Sequence, residues 1–103
     1  MTRRQKLEQM LAASPEDTFL EYALAMQYAS DGDDPAAVAR MSALIDRDPR
    51  YVPAYFQLAQ IRVRLGETDG ARQSLVRGIE EARRAGDDHA EGEMRGLLEQ
   101  LAG

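Results

Sequence analysis

A chain of 103 residues that is 44% hydrophobic and 30% charged has the composition of one folded globular domain and is too short to build a second independent core. Its 13 basic and 18 acidic residues leave a net charge of −5, the wrong sign for neutralising a phosphate backbone, which argues against nucleic acid as a partner. It has no cysteine, and that removes disulfides, zinc–thiolate and iron–sulfur sites and thiol nucleophiles.

The chain opens on a basic cluster, Arg3, Arg4 and Lys6, but the following Leu7-Glu8-Gln9-Met10-Leu11 carries a charge where a signal peptide needs an unbroken apolar run. No stretch approaches the roughly 18 apolar residues of a membrane span. The expectation is a cytoplasmic protein with no membrane partner. Residues 3–13 read as a first helix, with Leu7, Met10 and Leu11 as its apolar side.

Leu20, Leu24, Ala25 and Tyr28 recur at helical spacing up to Ser30, and Asp31-Gly32-Asp33-Asp34 then breaks the helix. Asp34 is the expected N-cap of the next helix, with Pro35 at its first turn, where a missing N–H loses no partner. Val38, Met41, Leu44 and Ile45 form that helix's stripe, and Asp48-Pro49 ends it. The plan then recurs. Tyr55, Leu58, Ala59, Ile61 and Leu65 share a helix, Gly66 stops it, Thr68 is the expected next cap, and Ala71, Leu75 and Ile79 follow as a stripe. After Ala85-Gly86-Asp87 a last helix, 88–101, carries Met94, Leu97, Leu98 and Leu101.

A shift of 34 residues superimposes Pro15 on Pro49, Leu24 on Leu58, Ala25 on Ala59, Gly32 on Gly66, Ala37 on Ala71 and Ile45 on Ile79. These identities fall on helix-packing and turn residues. The pattern of Leu24-Ala25, Tyr28, Gly32, Ala37, Met41 and Pro49, repeated as Leu58-Ala59, Gly66, Ala71 and Leu75 with Tyr55, resembles the tetratricopeptide repeat, and the chain is similar to small bacterial proteins of that kind. The resemblance implies an all-α fold of about five helices, stacked in helix-turn-helix pairs as a short right-handed α-solenoid. Its parts would be a half-repeat helix at 3–13, repeats at 18–51 and 52–85, and a capping helix at 88–101. Three positions depart from the family pattern: Glu21 and Arg62 stand where bulkier apolar or aromatic residues are usual, and Arg83 where a proline is usual. Glu21 and Arg62 are candidates to pair with each other. Of the glycines inside helices, Gly78 is best explained by close helix contact.

No catalytic constellation is present. His89, the one histidine, has Asp88 beside it and Glu93 one turn on, but its position reads as an exposed first turn behind aspartate caps, and no nucleophile accompanies it. Asp31-Gly32-Asp33-Asp34 lacks the spread ligands and closing glutamate of a calcium loop. No nucleotide-binding motif occurs. The expectation is therefore a protein that is not an enzyme and that takes no metal or cofactor.

What remains is a surface. The resemblance places the first helix of each pair on the concave side and points Tyr22 and Met26, then Phe56, Gln57 and Gln60, into it, with Arg50 and Arg64 at its edge. Tyr22 and Phe56 occupy the same place one period apart, and each adds a second apolar stripe to its helix. The expected function is non-enzymatic binding of a peptide or helix of a partner protein on this face. The alternative is a self-associating structural protein, a homodimer with no external ligand. The lysine and asparagine clamp that some members use for chaperone tails is absent from this face.

Overall fold

The computed structural model describes residues 1–102. Six helices follow one another without a strand among the described residues: α1 (Arg3–Ala13), α2 (Thr18–Ser30), α3 (Asp34–Arg47), α4 (Val52–Arg64), α5 (Thr68–Ala85) and α6 (Asp88–Ala102). The count is six rather than about five: one half-repeat helix, two helix pairs and one capping helix.

Local signals set the helix ends. Thr2 and Gln5 form a reciprocal capping box at α1, and the Asp17 carboxylate accepts from the Leu20 N–H at 3.0 Å to start α2. Two caps differ from expectation. Asp33, not Asp34, caps α3, accepting from the Ala36 N–H at 3.1 Å, and this leaves Asp34 in the first turn for another partner. At α5 the cap position belongs to Glu67, one residue before Thr68, and no side chain bonds the free N–H groups there. Asp87 starts α6 by accepting from the Ala90 N–H at 3.0 Å. Gly32 and Gly66, one period apart, take φ values of 87° and 77°, which a residue with a Cβ rarely adopts.

Each helix packs on its chain neighbours, and in addition α4 meets both α2 and α6. Helices α2, α4 and α6 thus line one side of a short right-handed solenoid, with α3 and α5 on the other. Small residues make the crossings close. Ala25, Ala37, Ala54, Ala59 and Ala71 are fully buried, and a side chain at Gly78 would place its Cβ 2.5 Å from both Met94 Sδ and Tyr55 Cβ, where α5 crosses α4 and α6. Tyr55, 1% exposed, is the largest fully buried side chain, and its hydroxyl donates to the Pro49 carbonyl at 2.6 Å.

Leu7, Leu20 and Leu24 form a smaller core between α1 and α2. Here the helical stripe of α1 is only partly used. Met10 stands one period before the buried Leu44 yet is 50% exposed, because α1 packs on α2 alone. No helix among the described residues is long and apolar enough to cross a membrane.

Candidate functional site on the inner helices

The side formed by α2, α4 and α6 carries most of the candidate residues. Tyr22 and Met26 on α2 and Phe56 on α4 are half-buried, with one flank of each against the main core. The Tyr22 ring meets that of Tyr51, centroids 5.4 Å apart and planes tilted by 54°. Burial, and then the neighbouring Tyr51, push the Tyr22 hydroxyl above the ordinary tyrosine range, so this pair stays neutral at physiological pH. Phe19, one turn before Tyr22, is 62% exposed and continues the apolar strip into solvent.

Gln57 and Gln60 lie beside Phe56, half-buried, with no side-chain hydrogen bond to other described residues. Phe56 and Gln60 form one wall of a groove whose other wall is α6, through Gly92, Glu93, Gly96 and Leu97. None of these α6 residues is among the candidates read from the sequence. Their signal was the pair of glycines one turn apart, inside a helix, with open space where a Cβ would project.

The two arginines are not brought together. Arg64, at the end of α4, is held by Asp34 in a two-point pair, Nε–H to Oδ2 at 3.1 Å and Nη2–H to Oδ1 at 3.0 Å. The guanidinium hydrogen bond holds the Asp34 carboxyl below the usual carboxylate range and raises Arg64. Arg50 lies before the start of α4, in a depression with Glu81, Arg84 and Ala85. The 13 residues of α4 separate them by about 20 Å at 1.5 Å per residue. No single carboxylate can reach both.

The remaining polar candidates lie apart from this face. Glu21 pairs with Arg47, not with Arg62, since α3 delivers Arg47 beside it. His89 is exposed, with Nε2 3.3 Å from Glu93 Oε1, and no group of three or more metal-ligating side chains converges among the described residues.

The chain matches no family model. It is 33% identical over 95 residues to a TPR repeat-containing protein of Pseudomonas aeruginosa, an alignment covering 92% of this chain and 90% of that protein. The chain belongs to the tetratricopeptide repeat family. Among solved structures, a tetratricopeptide repeat domain protein of Salinibacter ruber superimposes with a TM-score of 0.81 at 33% identity, over 85% of this chain and 98% of that one. PcrH, solved in complex with the chaperone binding region of PopD, superimposes with a TM-score of 0.88 over 96% of this chain and 75% of its own; at 17% identity this likeness is one of fold. The tetratricopeptide architecture makes this chain a protein–protein interaction module in the general sense.

Proposed function

We propose that the chain is a non-enzymatic, cytoplasmic interaction protein that binds a peptide or helix of a partner protein on its concave face, with no part for nucleic acid or membrane. It would be built as repeats 18–51 and 52–85 between a half-repeat helix, 3–13, and a capping helix, 88–101. The observation that carries the reading is the strip of Tyr22, Met26 and Phe56: each is held on one flank by the core and half-open on the other, and the exposed Phe19 extends them. Such anchored, rigid side chains bury area at low entropic cost, as interface hot spots do. Gln57 and Gln60 offer amides to an extended backbone. Arg50 is free of ion pairs among the described residues and can meet an acidic group at one end; Arg64 already shares its charge with Asp34 through Nε and Nη2. The fold shared with PcrH, whose structure holds a segment of PopD, supports a protein ligand.

Affinity capture with the tagged protein, followed by calorimetry with the captured partner, tests this. Tyr22→Ala and Phe56→Ala should each weaken binding by more than about 1 kcal/mol while unfolding free energy falls by less than the 3–5 kcal/mol of a fully buried aromatic. Unchanged binding in both variants sinks the concave-face reading.

The self-association reading is favoured by one feature, Met10 exposed on a helix with no partner on its outer side. Sedimentation equilibrium separates the two: a dimer that Met10→Glu turns into a monomer supports self-association through α1.

A further inference from the structure

On the opposite side of α4 from the groove, a cleft of about 150 Å³ opens between α3 and α5, with α4 as its floor. Ser42 and Asp46 line it from α3, Tyr55 and Arg62 from α4, and Gln73 and Arg77 from α5. Two guanidinium groups therefore face one space with a single carboxylate, in a protein that is acidic as a whole.

Neither cation makes a hydrogen bond to a carboxylate among the described residues. The Arg62 Nη1–H donates to the Gly70 carbonyl at 3.3 Å and Nη2–H to Ser42 Oγ at 3.4 Å, both long and both to neutral acceptors. Glu67 Oε1 lies 3.9 Å from Nε, outside hydrogen-bonding distance, and Nε is buried without an acceptor. Arg77 stands over the Tyr55 ring, 5.6 Å from its centroid, and forms no ion pair among the described residues. Arg62, its side chain 23% exposed, is partly withdrawn from water with no close carboxylate, which is costly, while Arg77 is exposed.

The seat for Arg62 is nevertheless kept open. A Cβ at position 70 would come within 2.9 Å of Arg62 Nη1, and α5 has glycine there despite its poor helix propensity.

We propose that this cleft binds a phosphate-type oxyanion between Arg62 and Arg77. Guanidinium forks match the oxygens of such an anion, and Ser42 and Gln73 add neutral donors at the wall. The volume is that of a few water molecules, at about 30 Å³ each, so it admits one small oxyanion and not a chain of them. Asp46, on the exposed rim, limits the net charge of the lining to +1 and so limits affinity. Free phosphate and a phosphomonoester present the same chemistry.

The test is titration of the ¹⁵N-labelled protein with inorganic phosphate at constant ionic strength, and separately with O-phosphoserine. The Nε–H signals of Arg62 and Arg77 and the amides of Ser42 and Gln73 should shift along a saturating curve. Arg77→Gln, at an exposed site, should keep the fold and raise the apparent Kd about tenfold or more, the loss of one charge-assisted contact. Arg62→Gln should do the same, with circular dichroism reporting whether it is folded. The tighter of the two anions identifies free phosphate or ester as the better ligand. Shifts that fail to saturate with both anions, or a folded Arg77→Gln protein that titrates like the wild type, would overturn the proposal.

Discussion

The cleft over α4 has a twin one period earlier, over α2 between α1 and α3, and the two differ in charge. Glu8, Glu21, Tyr28 and Arg40 line the first where Ser42, Tyr55, Arg62 and Ser74 line the second. In the first, two carboxylates and a shared ring surround the cations, while Arg4 Nε, like Arg62 Nε, has no hydrogen-bond acceptor and Arg40 makes no ion pair among the described residues. Arg4 Nε lies 3.5 Å from Glu8, the Tyr28 hydroxyl donates to Glu8 at 3.4 Å, Arg4 and Arg40 stand 5.2 and 4.8 Å from the Tyr28 ring centroid, and Glu21 has Arg47. In the second, the aromatic ring has moved to position 55 and gone into the core, while the arginine at 62 has taken the outer place, hydrogen-bonded to neutral acceptors with Glu67 3.9 Å away. The helical repeat determines where side chains converge. Which side chains converge decides the charge of the lining: two carboxylates and one guanidinium in the first cleft, two guanidiniums and one carboxylate in the second.

The sharpest way to break the comparison is to remove the two tyrosines. Tyr55→Ala should cost about 3–5 kcal/mol of unfolding free energy, as a fully buried aromatic does. Tyr28→Ala, half-buried and held by cation–π and rim contacts, should cost about 1–2 kcal/mol. Equal losses by chemical denaturation would mean that the two clefts are packed alike.

A smaller effect isolates the arginine seat. Gly70→Ala adds helix propensity worth about 1 kcal/mol but forces Arg62 aside. In an Arg62→Ala background the gain should appear in full, and in the wild type it should be cut by several tenths of a kcal/mol or more, a coupling that a double-mutant cycle measures. Additive effects would show that Gly70 is not kept for Arg62.

The smallest effect concerns the clip that joins the two periods, Asp34 with Arg64. Because the folded protein holds the Asp34 carboxyl low, chiefly through the Arg64 hydrogen bond, its contribution is present above the ordinary carboxylate range and is lost as pH falls through the depressed value. The side-chain ¹³C shift of Asp34 should titrate at a lower pH than an exposed aspartate, and Arg64→Gln should return it toward the ordinary range. A midpoint that ignores Arg64→Gln would remove the clip.

Much of the fold is legible in residues close together in the chain. The stripes Leu20-Leu24-Tyr28 and Met41-Leu44-Ile45, the breaks at Gly32 and Gly66 and the repeat of both after 34 residues locate the helices, because helical periodicity and turn chemistry act within a few residues. Cap positions differ by one at Asp33 and Glu67: of two adjacent aspartates Asp33 caps α3, since either can serve and backbone angles choose, and α5 starts at Thr68 with no side-chain cap. The partners of charged residues were decided by tertiary structure alone. Glu21 and Arg62 share the kind of interface that suggests a pair, yet α3 brings Arg47 to the first, and α5 brings Gly70 to the second. The same holds for the groove that α6 completes beside Phe56, and for the separation of Arg50 from Arg64 by the length of α4. Periodicity says which face of a helix is apolar; only the crossing of helices far apart in sequence decides what that face, and every charge along its edge, finally meets.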